Sequence, residues 1–142
     1  MAMTRKSPAG VRVLAAGLLL GALSIGTAFA ADIKVTLSGT NEVPPVTTAA
    51  SGGGTIKIGD DGSVSGSVST TGVAGTVAHI HEGAAGTNGP VIVPLTNEGD
   101  TYKVPAGAKL TEAQMATFKA GNLYINVHSA AHPGGEIRGQ LK

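Results

Sequence analysis

The sequence predicts an all-β protein: an antiparallel, Greek-key-like β-sandwich with one short helix. Three observations lead there. Short segments alternate apolar and polar residues, as Ile33-Lys34-Val35-Thr36-Leu37 does, which is the period of a half-buried strand. Glycine-rich stretches such as Ser51 to Gly54 and Gly83 to Gly89 punctuate them. One segment alone, after Thr111, carries helix punctuation. Many short strands at such spacing favour an antiparallel sandwich or barrel.

The elements follow in order. After Ile33 to Leu37, the segment Asn41-Glu42-Val43-Pro44-Pro45-Val46 reads as an irregular loop, since proline cannot donate to a ladder. Thr55 to Ile58 and Ser63 to Thr70 flank Asp60-Asp61-Gly62, a hairpin whose Asp-Gly step suits the positive φ of a tight turn. Strands are predicted at Thr76 to Glu82, Val91 to Val93, Thr101 to Val104, Leu123 to His128 and Glu136 to Leu141. For the helix, Thr111 and Gln114 form a capping box, and Gly121 provides a left-handed stop. Met115 and Phe118 are expected to plug one end of the sandwich.

Residues 1–30 read as a leader outside this domain. Arg5, Lys6 and Arg12 are basic, Val13 to Ile25 is almost wholly apolar or small, and Ala28-Phe29-Ala30 supplies the small residues of a cleavage site. The apolar run falls short of the roughly 20 residues a spanning helix needs. The expected product is secreted or periplasmic, cleaved after Ala30, with no membrane association, and consists of residues 31–142. That portion keeps all nine acidic residues and seven basic ones, a net charge of −2. No basic footprint for nucleic acid exists, and two Tyr, two Phe and no Trp make a poor stacking platform. The chain has no cysteine, which excludes disulfides, thiolate metal sites and a cysteine nucleophile.

The four histidines fall into two segments, Ala78-His79-Ile80-His81-Glu82 and Asn126-Val127-His128-Ser129-Ala130-Ala131-His132. Residues i and i+2 of a strand share a face, so His79 and His81 point the same way, roughly 6.5–7 Å apart along the strand. Leu123, Ile125 and Val127 form the apolar parity of the later strand, and Tyr124, Asn126 and His128 the polar one. If the two strands are neighbours, His79, His81 and His128 converge on one outward patch, and His132 can fold back from the following loop. Neutral imidazole suits copper, zinc, nickel and iron. The competing reading is a set of solvated surface histidines. No G-x-S-x-G elbow is present, and Gly83 to Gly89 lacks the Lys-Ser/Thr and the helix of a phosphate loop. Glu82 and Glu136 are expected to bond loop backbone or to pair with Arg138.

Several longer stretches occur in order: Leu37-Ser38-Gly39-Thr40-Asn41-Glu42-Val43-Pro44-Pro45-Val46, Ala78 to Gly83, Gly89-Pro90-Val91, Ala120 to Ser129, and Pro133-Gly134-Gly135-Glu136-Ile137-Arg138-Gly139-Gln140-Leu141. Together they resemble the chordin-type (CHRD) domain over residues 37–141. The resemblance implies an extracellular all-β module, which in animals occurs inside secreted antagonists of bone morphogenetic proteins and in bacteria stands alone. In addition, His79-Ile80-His81-Glu82 and Val127-His128 are similar to copper-ligand strands of the copper/zinc superoxide dismutases. That similarity implies His79, His81 and His128 as copper ligands. It stops short of dismutation, because Gly83 to Pro90 has neither the His nor the Asp of a zinc loop and the family's cysteines are missing.

The expected function is therefore a secreted CHRD-domain module that binds a transition metal, copper ahead of zinc, through surface histidines His79, His81 and His128, with His132 an optional fourth ligand. An enzyme is the less favoured class. The alternatives are a metal-free module that contacts an extracellular protein or matrix glycan, and a superoxide-dismutase-like redox enzyme.

Overall fold

The structure, a computed structural model, describes residues 31–142, so the leader expectation for residues 1–30 lies outside the described residues. Nine strands form one antiparallel sheet. They are β1 (Ala31–Ser38), β2 (Ser51–Ile58), β3 (Val64–Thr71), β4 (Gly75–Glu82), β5 (Val91–Pro94), β6 (Thr96–Glu98), β7 (Thr101–Lys103), β8 (Leu123–Ser129) and β9 (Ile137–Leu141). One helix, α1 (Glu112–Lys119), links β7 to β8. The all-β class with a single short helix holds.

The order across the sheet is β5-β4-β8-β9-β1-β2-β3-β7-β6. Its two outermost strands, β5 and β6, are consecutive in the chain with only Leu95 between them. One extended segment therefore pairs with β4 through its first half and with β7 through its second. Leu95 N–H donates to Ala78 O at 3.0 Å, and the Asn97 amide donates to Thr76 O at 3.3 Å. The sheet thus curls into a nearly closed, barrel-like form. Closure of this kind leaves little unpaired edge for another chain to extend.

The alternation seen in the sequence sets the core. Ile33, Val35 and Leu37 of β1, Ile56 and Ile58 of β2, Ala78 and Ile80 of β4, and Leu123, Ile125 and Val127 of β8 are all buried. Ile80 pairs with Ile125 across the β4–β8 ladder, so both strands turn the same parity inward. The turn after β2 has Gly62 at φ +84°, as its Asp-Gly step requires.

Two strand expectations change. Ser51 to Gly54, expected as a glycine-rich break, is the first half of β2. Pairing with β1 on one side and β3 on the other satisfies its backbone, and this outweighs the poor strand propensity of glycine. Thr96–Glu98, fully exposed and without an apolar parity, is a strand because β7 supplies its ladder. The helix forms as its punctuation predicts. Thr111 Oγ1 accepts from Gln114 N–H at 3.2 Å, Gln114 Oε1 accepts from Thr111 N–H at 2.9 Å, and Gly121 follows at φ +78°. Met115 and Phe118 pack against the core while remaining partly exposed. None of the described helices is long and apolar enough to cross a membrane.

Ile125 is fully buried at the centre of β8. Ile125→Ala should cost about 2–5 kcal/mol of stability as a large-to-small core change. Urea denaturation measures this, and a loss near zero would mean the inward and outward parities of β8 are exchanged.

Candidate metal centre

The other face of β4, β8 and β9 carries the chemistry. Registers place His79 beside Asn126 and Asn126 beside Arg138, then His81 beside Tyr124 and Tyr124 beside Gln140. His128 follows two residues after Asn126 on the same face. The expected convergence of His79, His81 and His128 is what the strands produce: one ring nitrogen from each lies within 4.8 Å of the others.

Two of these imidazoles have their tautomer set by backbone. His81 Nδ1 lies 2.9 Å from Gly89 O, and His128 Nδ1 lies 2.9 Å from Pro133 O. A carbonyl can only accept, so in neutral rings both Nδ1 atoms carry the proton and both Nε2 atoms are acceptors. In the metal-free protein His79 Nδ1–H therefore donates to His128 Nε2 at 3.1 Å. Two nitrogens bound to one ion at about 2.0 Å lie roughly 2.8–3.3 Å apart for right-angle to tetrahedral geometry. The His79–His128 pair already has that spacing. The widest separation of 4.8 Å exceeds what one ion can bridge, so a bound ion would draw the rings together by about an ångström.

The expectation of surface histidines is corrected. His81 is buried, with 8% exposure, and its Nε2 has no hydrogen-bond partner. The loop from Gly83 to Pro90 folds over it. Gly89 is held at both ends, its carbonyl accepting from His81 and its N–H donating to Tyr124 Oη at 3.1 Å. A Cβ on Gly89 would collide with Glu82 O, so no larger residue fits this close approach. His81 also stacks on Tyr124, with ring centroids 4.7 Å apart and planes within 4°.

His132 stays outside this group. Its Nε2 lies 3.6 Å from Glu136 Oε1, because the turn after β8 bonds back on itself through Ser129 and directs the ring toward β9. The expected pairings of Arg138 also change. Its Nε donates to Glu42 Oε2 at 3.1 Å, with both side chains 2% exposed, while Glu82 accepts from Thr117 Oγ1 at 2.9 Å instead. Arg138 further donates to Thr87 O at 2.8 Å and to Asn88 Oδ1, and its guanidinium lies 3.9 Å from the centre of the Tyr124 ring. Glu42, Tyr124, Asn126 and Arg138 thus form a buried polar layer around the histidines. Sequence reasoning placed Tyr124 and Asn126 on the polar parity but did not predict their burial, and nothing local connects Glu42 to Arg138.

Burial pushes His79 below the ordinary imidazole range, and the neighbouring His128 and His81 rings add to this. His81 is also pushed down, first by burial; its bond to Gly89 O opposes the effect in part, while His128 and Arg138 add to it. Both shifts favour the neutral ring, the form that ligates a metal.

A barrel-like all-β domain with a three-histidine cluster beneath a strapped loop defines the class of protein. The model of the CHRD domain family matches residues 33–141, and the chain belongs to that family. No curated protein and no solved structure matches it.

Two outcomes follow from this geometry. Glu42→Gln should cost about 3–5 kcal/mol, because it leaves Arg138 buried without its counter-charge; a loss under about 1 kcal/mol in chemical denaturation would mean the pair is solvated. For the metal-free protein, the folded pKa values of His79 and His81 lie below the unfolded value of about 6.5. The unfolded chain therefore binds more protons as the solution is acidified through that window. The contribution of these two rings is full above about pH 6.5 and is lost as pH falls through their lower folded values. Denaturation midpoints at pH 7.5 and 5.5 should show this decline, and side-chain NMR should show His79 and His81 titrating below the usual range.

Proposed function

We propose that this CHRD domain is an exported module that binds one transition-metal ion, copper ahead of zinc, through His79, His81 and His128. The observation that carries the reading is the convergence of three imidazole nitrogens within 4.8 Å, with two tautomers set by backbone carbonyls. A carbonyl on the far nitrogen of a ligating histidine is the usual means of orienting such a ring. An all-imidazole donor set without thiolate suits copper(II), which also stands highest in the affinity order of the divalent ions. Processing after Ala30 would deliver residues 31–142 outside the cytoplasm. The domain works as a binding module rather than an enzyme.

Copper(II) should bind one-to-one and raise thermal stability, by about 2.7 kcal/mol when free ion exceeds Kd a hundredfold. Binding should weaken on acidification, because protonated imidazole cannot ligate. His79→Ala and His128→Ala should abolish tight binding and still fold. His81→Ala should lose binding and also destabilise the metal-free protein, since that ring is buried between Tyr124 and Gly89. Calorimetric titration of the wild type and these variants decides the matter. If all three bind copper as the wild type does, the centre is wrong, and a metal-free interaction module becomes the better reading.

A further inference from the structure

Asn126 lies at the centre of the polar face, paired with His79 on one side and Arg138 on the other. It is 1% exposed, and its Oδ1 is buried without a hydrogen-bond partner. His81 Nε2 is the only ring nitrogen among the described histidines in the same condition. Asn126 is the diagonal cross-strand neighbour of His81 on the same face of the β4–β8 ladder. With Nδ1–H committed to Gly89 O, the Nε2 of neutral His81 is an acceptor, and Asn126 Oδ1 is an acceptor too. Two buried acceptors on one face cannot satisfy one another, and each costs free energy while unpaired.

Rotating the amide by half a turn would offer N–H to His81, but the other side of Asn126 opposes this. Asn126 Nδ2 and Glu42 Oε1 border the same gap above Gly135, 2.6 and 2.5 Å from where a Cβ on that glycine would stand. Glu42 Oε1 is itself a buried acceptor without a partner, and Arg138 holds the carboxylate in place. The carboxylate favours the amide nitrogen on its side, which leaves the oxygen on the side of the histidines. A cation can take an electron pair from both acceptors at once, where a water could only donate a hydrogen bond to each.

We propose that Asn126 Oδ1 is the fourth donor of the histidine centre, so that the ion is held by three imidazole nitrogens and one amide oxygen. This rests on the metal-binding reading and adds to it a fourth protein donor.

The test uses the described domain with copper(II) chloride as probe. Asn126→Leu, which removes the oxygen at similar volume, should weaken copper binding about 10- to 100-fold, the range seen when a supporting group of a metal site is lost. Asn126→Asp, which keeps an oxygen there, should bind at least as tightly as the wild type. A crystal structure of the copper-loaded wild type gives a readout independent of any variant: Oδ1 should lie within about 2.0–2.4 Å of the ion. An amide oxygen more than about 3 Å from the ion, where no coordinate bond exists, would overturn the proposal. So would unchanged affinity in a folded Asn126→Leu variant. If the wild type binds no copper at all, the failure is that of the metal-binding reading itself.

Discussion

A buried guanidinium organises this molecule. Arg138 sits on the last strand with 2% exposure, where an unpaired charge would be prohibitively costly, so each of its faces has to be met. Glu42 supplies the counter-charge, Thr87 and Asn88 supply oxygens, and Tyr124 supplies a π face. These partners come from widely separated parts of the chain. Hydrophobic burial is non-directional and would tolerate many loop arrangements. A planar fork of donors tolerates few. The loop around Glu42 and the loop from Gly83 to Pro90 are therefore placed by Arg138 rather than by the core.

That placement reaches the histidines through short steps. The guanidinium covers one ring, Tyr124, and Tyr124 both stacks on His81 and accepts from Gly89 N–H. Gly89 in turn sets the His81 tautomer. Loss of the ion pair would release the loop, and with it the carbonyl that keeps the His81 lone pair facing its neighbours. Three separated stretches of the chain are thus parts of one assembly. Glu42 of the Asn-Glu-Val-Pro-Pro stretch, the His-x-His strand and Arg138 near the C-terminus meet over a single face of the sheet.

The closure of the sheet has a similar economy of means. Eight residues from Val91 to Glu98 serve both open edges, interrupted only by Leu95. β4 is thereby paired on both sides, with β8 and β5. A strand held on both sides holds its side chains at a defined spacing, which is why His79 and His81 form a scaffolded pair.

The face on which each strand residue lies was written in the sequence, because alternation is local and strands have period two. From this alone Ile80, Ile125 and Val127 belong inside and His79, His81 and His128 on the opposite face, and so they are found. The capped helix was equally legible, since the contacts of its cap span three residues. What alternation cannot tell is whether the polar face meets water. Here loops arrive from distant segments and bury it, so His81, Tyr124, Asn126 and Arg138 are interior residues despite their polar parity. The Glu42–Arg138 pair spans 96 positions in the chain, and no local pattern encodes such a contact. The separation of His132 from the other three histidines likewise depends on how one turn bonds to itself and on the carboxylate of Glu136. Sequence determined which residue types share a face; only the tertiary structure decided which of them touch, because burial and partner choice come from chain segments that meet only after folding.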